Sequence, residues 1–568
     1  MLALGAICLG ADNLPLDVDV LARATSGDLR DMVERYSSDR TVLEGFYDHP
    51  LSLARSRKLK EFFESWKSAL EGVRFDGLNQ NGKVDYLLFR NELDDQLRRL
   101  RLAESRREEM LPLMPFLDSI VGLHERRQHV DPIDPRKVAE VLVQAERTIG
   151  EVSAKAAKLG IRKSVANRAS LAVNELRKTV KSWFEFYNGY DPLFTWWVDS
   201  PYKKFDESLK SYATKLREEV AGVKADDKDT IVGDPVGRQA LLEDLAAEFV
   251  PYTPEELVRI ANLEFAWCEA EMKKASRERG SGDDWKRALE HVKTLYVPPG
   301  GQTALVRDLA EEAIAFVEKN QLVTVPPLAG DTWRMFMMAP EQQRINPFFL
   351  GGDSIIVSYP ANTMTHGEKM MSMRGNNIHF ARATVFHELI PGHRLQYFMS
   401  SRYRAYRQVF RTPFWTEGWA LYWEMVFWDK GFPLTPENRV GMLFWRMHRC
   451  ARIIFSLSFH LEKMSAQECV NYLVERVGHE RENAAAEVRR SFETDYPPLY
   501  QAAYMLGALQ FRALRKELVD SKRMTDLEFH DAILKLNSIP VEMIRATLTD
   551  QPLTREFRTN WKFYGDIK

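Results

Sequence analysis

Cysteine is scarce in this chain. Cys8, Cys268, Cys450 and Cys469 are the only four among 568 residues, too few and too scattered for a disulfide framework or a cysteine-ligated zinc site. Nor does one sign of charge dominate, since 79 basic residues stand against 81 acidic ones for a net charge of −2. With no run of like charge, nucleic acid is not an expected partner. No apolar stretch is long enough to span a bilayer, so no integral membrane segment is expected. Residues 1–11 are an unbroken apolar run ending in small residues, like the hydrophobic part of a signal peptide but without its positively charged start. That run reads either as a trimmed signal or as an N-terminal packing segment. An exported location (periplasmic or extracellular) and a cytoplasmic one both stay open. Internal repeats and low-complexity tracts are absent as well.

Hydrophobic residues make up 45% and charged residues 28%, the composition of a soluble globular protein rather than a disordered or membrane one. The length exceeds one ordinary core, so two lobes are expected. We place an N-terminal helical lobe over residues 12–320 and a catalytic lobe over residues 321–568. The first is helix after helix: Tyr86, Phe89, Leu93, Leu97 and Leu100 recur at helical spacing in a charged background, which buries one stripe and solvates the rest. Thr253-Pro254-Glu255-Glu256 and Ser465-Ala466-Gln467-Glu468 are capping boxes that start helices. The pattern changes near residue 321, where Leu322–Val325, Trp333–Met338 and Ser354–Tyr359 are short, β-prone segments punctuated by Pro or Gly. They predict a small sheet just before the segment of greatest chemical interest, with an edge that can hold an extended peptide. The fold expected is mainly α, large and bilobal, with that sheet beside a metal-binding helix.

The segment itself is His387-Glu388-Leu389-Ile390-Pro391-Gly392-His393, followed by Glu417 in Thr416-Glu417-Gly418-Trp419-Ala420. Two imidazoles and two carboxylates are the inventory of a catalytic zinc site, with three ligands and a proton acceptor for water. The spacing departs from the familiar His-Glu-x-x-His helix. Six steps at about 100° each turn the second ring roughly 120° away from the first, which a regular helix cannot use. Pro391 and Gly392 predict a bulge that absorbs two extra residues and brings His393 back to the face of His387. Twenty-three residues lie between His393 and Glu417, enough to finish one helix, turn, and start a second that presents Glu417, Ala420, Leu421 and Glu424 on one face. Glu424 can then support a ligand histidine from behind.

His-Glu-x-x-Pro-Gly-His with Leu395 and Gln396, then Glu417-Gly418-Trp419-Ala420-Leu421-Tyr422-Trp423-Glu424, resembles the domain of unknown function 885 family of bacterial proteins. The outer segments Thr253–Leu257, Leu322–Pro326 and Pro498–Gly507 follow the order of that family over most of the chain. The resemblance implies kinship with gluzincin-type zinc metallopeptidases, alongside carboxypeptidase Taq, angiotensin-converting enzyme and the dipeptidyl-peptidase III group. The chain departs from the family at Arg394, where a second His is usual, at Ser456 four residues before His460, and at Leu499-Tyr500 after Pro498.

The expectation is therefore a zinc-dependent peptidase. Zn2+ is held by His387, His393 and Glu417, and Glu388 serves as general base. An oxyanion donor comes from Tyr504, by the resemblance, with Tyr500 and His460 behind it. Arg449, Arg452, Arg489 and Arg490 are candidates for recognising a substrate terminus. A peptide is the expected partner, in a cleft between helical lobes, and the oligomeric state is unassigned. Hydrolysis of a non-peptide amide and a non-catalytic metal-bearing binding protein are the rival readings. Glu388 argues against the latter, because a pure scaffold needs no base beside its first ligand.

Overall fold

The computed structural model describes residues 27–224, 230–343, 346–494 and 496–565. The apolar run at residues 1–11 lies outside them. The chain divides into two compact units between Val232 and Gly233. Helices of eight residues or more are numbered in chain order.

The first unit contains α1 (Arg30–Phe46), α2 (Leu53–Glu71), α3 (Gln80–Met110), α4 (Leu117–Gln128), α5 (Pro135–Ser153), α6 (Lys163–Tyr187) and α7 (Pro192–Lys215). α5 shows how the sequence makes them. Asp134 caps its start by accepting from Arg136 N and Lys137 N, Pro135 takes the first helical position, and Val138, Leu142, Ala145, Ile149 and Val152 are buried along one stripe, so apolar burial reinforces a well-signalled start. In α3, Tyr86, Phe89 and Leu93 of the expected stripe are buried, while Leu97 and Leu100 are only partly covered.

The second unit continues with α8 (Gly237–Ala247), α9 (Pro254–Glu278), α10 (Trp285–Lys293), α11 (Gln302–Lys319), α12 (His366–Gly375), α13 (Ile378–Glu388), α14 (His393–Ser400), α15 (Pro413–Asp429), α16 (Pro436–His460), α17 (Arg481–Phe492), α18 (Tyr500–Arg515), α19 (Asp526–Leu536) and α20 (Val541–Leu548). Both expected capping boxes form, at Thr253 and at Ser465. The division falls well before residue 320, and the reason is packing. α11 contributes Val306, Leu309 and Ala310 to one apolar cluster with Ala381, Val385 and Leu389 around α13. Glu264 on α9 accepts from Arg446 on α16 at 2.8 Å. Residues 237–319 thus complete the core that supports the second unit.

Two of the three expected strands form. β1 (Arg334–Met337) and β2 (Ser354–Val357) pair in parallel, with Arg334 opposite Ser354 and Met337 opposite Val357. Ile355 and Val357 of β2 face the cluster on α13, and Leu350 bridges to Ile356 on the strand's other side. Residues 322–325 are not a strand. Thr324 gives both its N–H and its hydroxyl to the Asp531 carboxylate, and Leu322 O receives His530 Nδ1, so their polar groups are satisfied by α19 instead of by a ladder. Among the described residues no helix is long and apolar enough to cross a membrane.

Candidate metal centre

The two histidines sit on separate helices, which corrects the expected bulge. α13 starts on an Asn377 cap and ends at Glu388, and α14 starts at His393. Pro391 has no N–H to continue the ladder, and the chain turns through Gly392 N to Phe386 O (3.0 Å) and Arg394 N to Leu389 O (2.9 Å). Gly392 lies so close to the end of α13 that a Cβ there would fall 1.9 Å from His387 O. Trp419 Nε1 donates to Pro391 O at 2.8 Å, tying the turn to α15. The break achieves what the bulge was expected to do: the imidazoles of His387 and His393 stand perpendicular with centroids 5.0 Å apart.

α15 begins on Thr412 with Pro413 in its first turn, and it carries Glu417 and Glu424 on one side. Its backbone nearly touches α18 where Gly418 meets Gly507: a Cβ on Gly418 would lie 2.6 Å from Gly507 Cα, and one on Gly507 would lie 2.0 Å from Phe414 O. Only a pair of glycines permits that approach. Its consequence is local to the site, because Glu417 precedes Gly418 and is thereby set against the tyrosines of α18.

The polar contacts orient each group. His387 Nδ1 is 2.8 Å from Glu424 Oε1, as the spacing predicted. His393 Nδ1 is 3.0 Å from Gln396 Oε1, and Gln396 Nε2 in turn donates to Trp415 O at 3.2 Å. Both acceptors call for an Nδ1–H tautomer, which leaves each Nε2 lone pair free to bind a metal. The sequence named Gln396 only as part of the family motif and gave it no role, although its place three residues after His393 on a helix is the signal that could have found one. Glu417 Oε2 lies 3.8 Å from His387 Nε2 and 3.3 Å from His393 Nε2. It is buried without a hydrogen-bond partner, while Oε1 accepts from the Tyr500 hydroxyl.

A buried carboxylate oxygen with no donor, facing two imidazole nitrogens, fits a cation. Glu388 also reaches the cluster, with ligand atoms of His387, Glu388 and His393 all within 4.8 Å of one another. Glu417 is the better-placed candidate for a third ligand, since its unpartnered oxygen is close to both imidazoles, whereas Glu388 Oε2 is 3.9 Å from His393 Nε2. That leaves Glu388 beside the metal position. Electrostatics separate the two carboxylates in the same sense. Burial raises the Glu388 carboxyl above its ordinary range. Burial opposes Glu417 too, but the charge of the neighbouring imidazoles, His393 foremost, holds it well below. The carboxylates of Glu417 and Glu424 outweigh burial at His387 and raise it to about 9, so metal binding there competes with protonation.

Beside the cluster is a cavity of about 210 Å³, lined by residues of the second unit. Tyr504 is in its wall, 4% exposed, with its ring within 14° of parallel to that of His387 at 6.2 Å between centroids. Tyr500 also lines the cavity but has its hydroxyl on Glu417, so it holds that carboxylate in place. Arg449, Arg452 and Arg490 line the cavity as well. Arg489, next to Arg490, pairs with Glu493 at 3.4 Å and is not in the wall. Arg394, at the position where the resembled family usually has His, ties α14 to Asp353 and to Thr332 Oγ1.

His460 is not brought to the site. It ends α16, edge-on to Phe459 and Phe492. It lies eleven residues past Arg449, a helical advance of about 16 Å. His460 is not among the residues that line the cavity.

Two solved structures share this fold. One, described as a "putative lipoprotein of unknown function" from Shewanella oneidensis, superposes with a TM-score of 0.68 at 17% identity, covering 91% of this chain and 98% of its own. The other, a "putative lipoprotein" from Colwellia psychrerythraea, gives 0.58 at 15% identity, covering 94% and 98%. No curated protein matches the chain. Sequence supports a closer relation than these folds alone: the profile described as "Bacterial protein of unknown function (DUF885)" matches residues 45–548, and the chain belongs to that family.

Proposed function

We propose that this protein is a zinc-dependent hydrolase that cleaves peptide bonds in short peptides. The observation that carries the reading is the unpartnered Glu417 Oε2, buried within 3.8 Å of both imidazole Nε2 atoms and next to a second carboxylate, Glu388. His387, His393 and Glu417 would hold the ion, which as a Lewis acid would polarise the scissile carbonyl and acidify water. Glu424 and Gln396 keep the imidazoles aimed, and Tyr500 fixes Glu417. Glu388 takes the proton of the attacking water on its carboxylate as the oxygen adds to the carbonyl carbon. It then delivers that proton to the amine nitrogen as the C–N bond breaks. The Tyr504 hydroxyl donates to the oxygen on which negative charge develops. The gluzincin likeness of the motif agrees with this division of roles. The description of both solved relatives as lipoproteins is compatible with export, where peptides outside the cytoplasm are the available substrates.

The direct test is a peptide-library digest. Zinc-loaded protein should release new termini, chelated protein should not, and added zinc should restore cleavage. A protein that binds zinc yet cleaves no peptide would remove the peptidase reading.

Tyr504→Phe should reduce turnover by about 10²- to 10³-fold with little change in substrate affinity, because a donor aimed at a developing oxyanion acts mainly in the transition state. Turnover and melting temperature measured on one preparation decide the matter. Unchanged turnover would make Tyr504 a packing residue.

A further inference from the structure

The cavity beside the metal position is unusual in its charge. Four arginines line it, Arg411, Arg449, Arg452 and Arg490, against two carboxylates, Glu388 and Glu417. Both carboxylates have work at the metal, so the guanidinium groups must find their counter-charges elsewhere. Two of them do so in part. Arg452 Nε donates to Glu487 Oε1 at 2.6 Å, and Arg449 lies 3.6 Å from Glu424, a carboxylate already taken by His387. Arg490 differs. It is 8% exposed, donates to the Tyr496 hydroxyl at 2.9 Å, and feels the charge of Glu487, but it forms no ion pair with a carboxylate among the described residues. Arg449 Nε, Arg452 Nη1 and Arg490 Nε are all buried without a hydrogen-bond partner.

Burying a guanidinium with unfilled donors is costly unless an anion arrives to fill them. Arg446 also has an unfilled Nε, yet it is ion-paired inside the fold with Glu264 at 2.8 Å, so what sets Arg490 apart is the missing carboxylate partner. The planar fork of an arginine matches a carboxylate better than any other common ligand group of a peptide. Arg449 and Arg452 also stand 4.7 and 4.3 Å from the Tyr504 ring, which places this cationic group beside the candidate oxyanion donor rather than at a distant rim. We infer that Arg490, together with Arg449 and Arg452, forms a carboxylate subsite in the metal cavity, so that the substrate is a peptide bearing a free carboxylate near the bond that is cut. This rests on the hydrolase reading for the word substrate, but the binding of a carboxylate can be measured apart from it.

The test uses full-length, zinc-loaded Glu388→Gln protein, which can hold a peptide without turning it over, and calorimetry with three probes. These are tetra-alanine as the free acid, tetra-alanine as the C-terminal amide, and an amidated peptide with one glutamate side chain. The free acid should bind about 10- to 100-fold more tightly than the amide, the worth of one charge-assisted hydrogen-bonded pair. Adding Arg490→Gln should erase that difference while leaving the amide's affinity and the zinc content unchanged, and Arg490→Lys, which keeps the charge but not the fork, should fall between. Preference for the glutamate probe over the free acid would assign the subsite to a side-chain carboxylate instead of the terminus. Equal binding of all three probes, or binding by none, would overturn the subsite without any variant at Arg490. The companion digest separates the two readings. Cleavage with no preference for acids removes the subsite alone, and acid-selective binding with no cleavage removes the peptidase alone.

Discussion

Glu388→Gln should keep its zinc and lose its rate, by about 10²- to 10⁴-fold in turnover, the range that positioned proton transfer supplies. The substitution is close to isosteric, so the surroundings of the carboxylate are preserved: Glu388 is the last residue of α13 and is buried at 8% exposure. What it removes is the capacity to accept a proton. The proposed ligands are other residues, with Glu417 Oε2 facing both imidazoles, and zinc content should therefore stay at the wild-type level. Binding and chemistry would separate in one variant. Measured turnover equal to wild type on a peptide that the native protein cleaves would take Glu388 out of the mechanism. Loss of zinc together with activity would instead make Glu388 a ligand, the alternative that its position within 4.8 Å of both histidine nitrogens leaves on the table.

A larger structural effect is expected from Gly392→Ala. The added Cβ would lie 1.9 Å from His387 O, 2.6 Å from His387 C and 2.7 Å from Phe386 O. Those are all backbone atoms, and no side-chain rotation relieves the contact. Either the turn between α13 and α14 opens or the end of α13 moves, and each change displaces one of the two candidate ligand histidines. Overpacking of this kind costs about 1–3 kcal/mol and sometimes more, and the displaced imidazoles should weaken zinc by at least the roughly 10- to 100-fold seen when a supporting partner is lost. Gly150→Ala is the matched control, because nothing lies within 4 Å of a Cβ at that helical position. It should leave zinc unaffected and stabilise slightly, as alanine is the better helix former by about 0.5–1 kcal/mol. A Gly392→Ala protein with wild-type zinc affinity and melting temperature would contradict the close approach.

Where the chemistry was legible in the sequence, it was legible because it resides in residue types. Two histidines flanking a glutamate, and a second glutamate a helix away, carry their meaning in the side chains, and the structure gathers His387, His393, Glu388 and Glu417 into one cluster. Glu424 was readable for a similar reason: its helical spacing from Glu417 fixes which side it faces. The route of the backbone was less legible. Pro391 and Gly392 announce an interruption, but whether the helix bulges or breaks depends on the contact of Gly392 with the His387 carbonyl and on Trp419 holding the turn. Long-range partners were not legible at all. Leu322–Val325 has strand composition and is not a strand, because Asp531 and His530 satisfy its polar groups from more than 200 residues away in sequence. Tyr500 and Tyr504 look alike in the sequence. Only the Gly418–Gly507 approach shows that the former binds Glu417 and the latter faces His387. His460, at the last residue of α16, is outside the cavity wall, a placement that residue type alone does not announce.

The most direct measurement is the zinc-to-chain ratio of the wild-type protein and of His387→Ala, His393→Ala and Glu417→Ala, by elemental analysis after loading and desalting. Two imidazoles and one carboxylate suit one tetrahedral ion with a position left open. The wild type should hold about one zinc per chain, and each variant should hold markedly less while staying folded. Stoichiometric zinc retained in all three variants, or no zinc in the wild type, would contradict the account.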